Sequence, residues 1–180
     1  EPSSTSNVHT INGYAMTMEY RIIVGQKLQS SEVATVVAVV QKVFEHVDST
    51  YNNWNPNSEI SRFNRAPANQ EVQISAELMT LLKITNSLVA ETMGYFDPTV
   101  GPVSELWKSR RSGSEVPSPE EVEKLSSAVG WDKIVLTENG IAKKHPLTKL
   151  DLCAIAKGYC VDLITDAIVS AGYKNVYVEW

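Results

Sequence analysis

Hydrophobic and polar positions alternate with two different periods along the chain. The run YAMTMEYRIIV, residues 14–24, is rich in β-branched and aromatic residues and stops at Gly25, which predicts a strand. Val33, Val36, Val37, Val40, Val43, Phe44 and Val47 then recur at helical spacing behind Ser30 or Ser31 as cap, so a long amphipathic helix with a core-facing stripe follows. Asn and Pro break it in STYNNWNPNSEISRFN, where Ser58-Glu59 reads as the cap of a short helical turn. Leu78, Leu81, Leu82, Leu88, Val89 and Met93 mark the apolar side of the next helix, capped by Ser75 and stopped by Gly94. YFDPTVGP is a shaped loop, with Asp97 held extended before Pro98 and a second break at Gly101-Pro102. SRRSGSEVPS is a polar loop in which Arg110 and Arg111 are solvated; Ser118-Pro119-Glu120-Glu121 then forms a capping box, and Gly130 closes that helix. IVLTENGI predicts a hairpin around Asn139-Gly140. A strand from Lys149 to Leu152 feeds a last helix with Ile155, Tyr159, Leu163, Ala167, Ile168 and Ala171 on one face, ending before Gly172, and NVYVEW is a final strand. Interleaved hairpins and amphipathic helices imply an α+β domain, a mostly antiparallel sheet covered by helices.

At 180 residues and 43% hydrophobic, the chain can bury one sizeable core. The polar opening EPSSTSN cannot, so residues 1–12 are expected to be a flexible segment ahead of a domain spanning 13–180. A formal charge of −5 with no evident basic patch argues against nucleic acid as a partner. No apolar run approaches the roughly 20 residues of a membrane span. A start at Glu1 rather than methionine suits a mature exported protein whose signal has gone, or a trimmed chain. Cys153 and Cys160 are seven apart, about 10 Å if both are helical, too far for a mutual disulfide. His9, His46 and His145 fall in no zinc-ligand spacing.

The densest candidate chemistry is LDLCAIAKGYCVD, residues 150–162, where a strand is expected to run into a helix whose first turn contains Ala156, Lys157 and Gly158. The first N–H groups of a helix lack intrahelical partners and face a favourable dipole; Lys157 adds a cation, and Gly158 lets a ligand approach the backbone. Asp151 before the junction suits a polar ligand, a metal or a capping donor. An ordinary junction, with Asp151 capping and Lys157 solvated, has the same spacing. Trp54, alone among polar turn formers, is either an exposed loop indole or a platform for a planar ligand. Turn formation alone accounts for Asp97 and Thr99, and strand packing for Met16.

LDLCAIAKGYCVD resembles the LDLGAIAKGYAVD block of the FAD:protein FMN transferases, the ApbE family. Three further blocks resemble the family in the same order: GYAMTMEYR its GxTMGTxxR, with Thr17 in place of a glycine; STYNNWNPNSEISRFN its STYxPDSEISRFN; and GYFDPTVGPVSELW its GxFDPTVGPLxxLW. The resemblance implies an ApbE-like, T-fold-like flavin transferase domain in which a threonine hydroxyl of a target protein attacks the FMN-side phosphorus of FAD and AMP leaves, with Mg²⁺ as cofactor. It places Met16 and Trp54 against the isoalloxazine, Tyr95, Phe96 and Asp97 at the adenosine side or loop wall, and Asp151 and Lys157 as catalytic residues and further FAD contacts. The backbone carbonyl of Ala154 becomes a magnesium ligand, with the remaining ligands expected beyond Trp180, where family members continue with GGE. A companion chain carrying that C-terminal portion is a conceivable partner, and an isolated 1–180 fragment is expected to be inactive. The acceptor would be a protein such as a membrane redox-complex subunit, and the location periplasmic or lipoprotein-anchored. Two rival activities stay open: hydrolysis of FAD to FMN and AMP, with water in place of the threonine, and non-catalytic flavin or partner binding. A phosphate-binding fold with no flavin link is a third.

Overall fold

The computed structural model describes residues 7–110, 113 and 116–180. In chain order these form β1 (His9–Ala15), β2 (Met18–Val24), α1 (Ser30–Tyr51), α2 (Glu59–Arg65), β3 (Val72–Gln73), α3 (Ala76–Glu91), α4 (Gly101–Ser109), α5 (Pro119–Ser126), β4 (Ile134–Leu136), β5 (Gly140–Lys143), α6 (Cys153–Ser170) and β6 (Val176–Glu179). The chain divides into two compact units, one of Glu1–Asp48 with Ile155–Trp180, the other of Ser49–Ala154. The α+β class and the antiparallel pairing are as expected, with the strands in two three-stranded sheets, β1-β2-β6 and β3-β5-β4.

In the first unit the expected strand over residues 14–24 is a hairpin. β1 and β2 pair antiparallel from Ala15↔Met18 outward, so Met16 and Thr17 form its two-residue loop. Both have positive φ, 49° and 68°, as the primed turns of tight hairpins require. No Asn or Gly marks the reversal in the sequence, so Met16 belongs to a turn and not to a packed strand. Residues 9–12, expected to be flexible, are strand: Ile11 sits opposite Ile22 and both are buried. Gly13 faces Tyr20 across the pair, and a Cβ there would come within 2.2 Å of the tyrosine ring, so only glycine lets that ring lie over the strand. β6 joins β2 on its other side, Val24 opposite Val176.

Ile22, Val24, Val36, Val40 and Phe44 pack with Cys160, Ile164 and Ile168 as the buried core of this unit. Phe44 stands 5.1 Å from Tyr20 and 5.2 Å from Trp180, ring centre to ring centre. The buried line of α6 is centred one position from the predicted face: Ile168 is shared, but Tyr159 and Leu163 only flank it. Ser30 and Ser31 lie inside α1 rather than capping it; Gln29 precedes the helix, and its N–H donates to Glu32 Oε2 at 2.7 Å.

In the second unit Ile60, Phe63, Leu78, Leu81, Leu82, Ile141, Leu150 and Leu152 are buried. Ser58 and Ser75 cap α2 and α3 as predicted, each hydroxyl accepting from the N–H three residues on. Met93 is not on the apolar side of α3: it has φ 52°, lies in the turn after the helix and is exposed. Gly101-Pro102, read as a break, opens α4, because proline is tolerated where helix N–H groups have no partner anyway. The capping box of Ser118 and Glu121 is present, but α5 ends at Ser126, and Gly130 instead precedes a 3-10 turn at Trp131–Lys133. Arg110 is paired with Glu121 at 2.6 Å, whereas Arg111 lies outside the described residues. β4 and β5 form the predicted hairpin, pairing from Leu136↔Ile141, and Thr137 N donates to Gly140 O at 2.9 Å, so the chain reverses at Glu138-Asn139, one residue earlier than Asn139-Gly140.

The expected strand from Lys149 to Leu152 does not form; Lys149 makes one isolated parallel bridge with Val100. Side chains supply the hydrogen bonds that a neighbouring strand would have given. Asn64 Oδ1 accepts from Leu150 N at 2.8 Å, and Asn64 Nδ2 donates to Leu150 O at 2.9 Å. Asn53 Nδ2 donates to the same carbonyl at 3.1 Å, and Asp151 N donates to Pro98 O at 2.7 Å. Among the described residues no helix is long and apolar enough to cross a membrane.

Candidate functional site

A cleft of about 290 Å³ opens in the Ser49–Ala154 unit, its lining including Trp54, Asn53, Asn64, Lys108, Asp151 and Cys153. Its floor is the Leu150–Asp151 segment, fixed by the two asparagine amides. The anchoring extends inward. Lys143 is buried, and its Nζ donates to the carbonyls of Asn64 and Thr148, both at 2.9 Å, with the Phe63 ring centre 5.8 Å away. Burial, and then the charge of Lys149, lowers the Lys143 pKa below the usual lysine value. The ammonium thus fixes the backbone of Asn64, and the side chain of Asn64 fixes Leu150. Gly101 lets α4 approach the same segment, since a Cβ there would meet Lys149 O at 3.0 Å.

Asp151 caps α6: its Oδ1 accepts from Cys153 N at 3.0 Å, while Oδ2 stands 3.9 Å from Lys108 Nζ. That ammonium also lies 5.5 Å from the Trp54 ring centre. Trp54 is 76% exposed, its backbone held in the turn by Trp54 N donating to Asn52 Oδ1 at 2.9 Å. Lys149 is held by Glu105 at 2.6 Å. Asn53 Oδ1 is buried with no hydrogen-bond partner among the described residues, an acceptor available to a ligand N–H or O–H.

The predicted residues therefore separate. Trp54 and Asp151 line one cleft. Asp97 does not line it; its Oδ1 accepts from both the N–H and the hydroxyl of Thr99, at 2.8 and 2.6 Å, and Thr99 Oγ1 in turn accepts from Gly130 N. Tyr95 is 94% exposed, and Phe96 N donates to Thr92 Oγ1. Met16 and Lys157 belong to the other unit, where Lys157 Nζ lies 2.9 Å from Met18 Sδ. Because Asp151 starts α6 at Cys153, Lys157 is its fifth residue and sits beyond the first turn in which it was expected. Gly158 is exposed, and a Cβ on it would meet nothing within 4 Å. Cys153 is exposed, whereas Cys160 is buried and its thiol pKa is pushed up to about 12 by that burial.

Asn53, Asn64, Lys108 and Lys143 were not singled out from the sequence. Lys108 stayed hidden because residues 103–108 were assigned to no element, only the Gly101-Pro102 start of α4 being read, as a break. The asparagines were read only as turn formers and Lys143 fell between the predicted hairpin and the next predicted strand, since local patterning does not show a contact made 79 to 97 residues away.

A magnesium site drawn from this chain would use the carbonyl of Ala154, the second residue of α6. Among the described residues no group of three or more His, Cys, Asp or Glu side chains is placed to hold a metal. One carbonyl oxygen falls short of the roughly six oxygens that Mg²⁺ gathers, one or two of them usually carboxylate. The residues present fit part of such a site only.

Residues 16–180 match the model of the ApbE family. An FAD:protein FMN transferase of Chlamydia pneumoniae is 37% identical over 180 residues, covering 99% of this chain and 57% of that protein. One of Vibrio cholerae is 29% identical over 94% of this chain and 51% of its own length. The solved flavin transferase ApbE of Vibrio cholerae superposes with a TM-score of 0.88 at 28% identity, over 96% of this chain and 57% of that one. The Thermotoga maritima ApbE protein gives 0.82 at 25% identity, over 96% and 56%. The chain thus spans a little over half the length of these relatives.

Proposed function

Since the chain belongs to the ApbE family, we propose that it forms the flavin-nucleotide-binding part of an FAD:protein FMN transferase. The observation that carries this is the cleft that sets an exposed indole beside an ammonium and a capped carboxylate. An indole face suits the isoalloxazine, and the unpartnered Asn53 Oδ1 suits an N–H or O–H of the ligand. Met16, Lys157 and the 95–97 loop are proposed as FAD contacts on the resemblance of their sequence blocks alone, and the acceptor is a threonine of a partner protein. In the transfer the threonine oxygen forms a bond to the FMN-side phosphorus as the bond to the AMP oxygen breaks, and AMP leaves. Such a step depends on positioning and on neutralising phosphate charge. Asp151, rigid on the cap, positions; Lys157 and the cleft cations neutralise; Mg²⁺, held in part by the Ala154 carbonyl, would add Lewis acidity when bound.

The test is incubation with FAD and Mg²⁺, with and without a threonine-bearing acceptor, following AMP by chromatography and flavin fluorescence on the acceptor band. AMP together with labelled acceptor is the expected result for the whole enzyme. AMP alone identifies a hydrolase. The incomplete donor set favours a second reading for residues 1–180 by themselves, flavin binding without turnover; bound FAD and no AMP is its signature. Failure to bind FAD at all removes both.

A further inference from the structure

We propose that Lys108 is the cleft residue that takes an anionic oxygen of the bound nucleotide, exchanging Asp151 for a phosphate when it does so. This rests on the flavin-nucleotide reading above and adds to it a residue that none of the four sequence blocks marked for binding.

The argument is one of partners. Lys108 projects from the last turn of α4 with its side chain 51% exposed. Its distance to Asp151 Oδ2, 3.9 Å, is beyond hydrogen-bond range, and its other charge-attracting neighbour among the described residues is the face of Trp54 at 5.5 Å. The ammonium therefore feels two weak attractions and is committed to neither. Lys149 differs, being closed on Glu105 at 2.6 Å. Asp151 is committed too, since Oδ1 is the cap of α6, so it stays in place when Lys108 turns away. A charge-assisted hydrogen bond to phosphate is stronger than either attraction it replaces. With a net charge of −5 the molecule offers no general attraction for a diphosphate, and a local cation must supply it. The position beside Trp54 also selects: a ligand gains from both residues only if it carries a planar ring joined by a short link to an anion. Phosphorylated flavins have that form, and riboflavin does not.

Titration calorimetry on the folded chain tests this, with FAD, riboflavin and inorganic pyrophosphate against the wild type, Lys108→Met and Lys108→Arg. Lys108 is half exposed on a helix surface, so circular dichroism should confirm that both variants fold. The expected result is a loss of about tenfold in FAD affinity for Lys108→Met, the size of one charged hydrogen bond, with riboflavin unchanged and FAD binding largely kept in Lys108→Arg. Equal losses for FAD and riboflavin would mean that Lys108 only orients Trp54, and would overturn the proposal, as would no loss for either. Should the wild type bind neither flavin, the flavin reading fails and pyrophosphate decides: saturable binding lost in Lys108→Met keeps the anion role, and no difference between the two proteins ends it.

Discussion

At Trp54 and Lys143 two side chains of opposite habit, one in water and one in the core, bear on the same cleft. Trp54 is so exposed that truncation should leave folding untouched while removing a stacking surface worth on the order of 1 kcal/mol beyond its area. Trp54→Ala is therefore expected to weaken FAD binding several-fold by calorimetry at an unchanged melting temperature; an unchanged affinity would remove the indole from the site. Lys143→Met should do the reverse. Two buried carbonyls, of Asn64 and Thr148, lose their donor, at about 1–3 kcal/mol each. Relief from burying an ammonium offsets part of this, so a net loss of about 1–3 kcal/mol in a denaturant titration is expected. The pH dependence has a definite sign. With the folded pKa of Lys143 below the ordinary lysine value of 10.5, the unfolded chain binds more protons between those two values, and this group's contribution to stability rises with pH through that window. Denaturation midpoints across the alkaline range should show the rise in the wild type and not in Lys143→Met.

The side-chain caps that begin α2, α3 and α5 were legible in the sequence, whereas the cap of α1 and the end of α5 were not. Ser58, Ser75 and the Ser118–Glu121 box act through neighbours three residues away, so a short window contains the whole interaction. The Met16-Thr17 turn was not legible, because its residues lack the usual chemistry and only the pairing of β1 with β2 imposes it. That mismatch is testable. A left-handed conformation costs a non-glycine residue about 1–2 kcal/mol, and the extra unfolded-state entropy of glycine takes back about 0.4–1 kcal/mol. Thr17→Gly should then raise stability by up to about 1 kcal/mol, and a lower melting temperature would show that the Thr17 side chain contributes something the turn needs. Gly158 poses the complementary question. A Cβ there meets nothing within 4 Å, so Gly158→Ala should stabilise α6 by about 0.5–1 kcal/mol. If FAD affinity falls at the same time, a ligand uses that bare backbone; if it does not, the glycine has no binding role.

At the scale of the molecule, the fold class followed from periodicity, whereas the division into two sheets did not. Strand pairing joins residues as far apart as Arg21 and Glu179, and no local pattern shows which strands share a ladder. The site was half legible for the same reason: Trp54 and Asp151 stand in recognisable blocks, but the asparagine and lysine contacts that fix the cleft floor are long-range. One prediction belongs at this scale. Because the described residues hold no group of three or more His, Cys, Asp or Glu placed for a metal, residues 1–180 in isolation, with FAD bound, should show no rise in AMP release on adding Mg²⁺. A magnesium-dependent release by that chain, shown by intact mass to be free of companions, would mean that the donors assigned to it are incomplete.

The carboxamide of Asn64, standing in for a strand, also makes the cleft subject to chemical ageing. Deamidation would exchange its nitrogen for oxygen, leave the acceptor for Leu150 N in place, and turn a second acceptor toward Leu150 O. In the aspartate product two oxygens would then face each other where a donor had met an acceptor, and the floor beneath Asp151 would loosen although no peptide bond is broken. A stored preparation could thus keep its fold and its apparent purity while its binding capacity declined, and peptide mapping at residue 64 would date the loss.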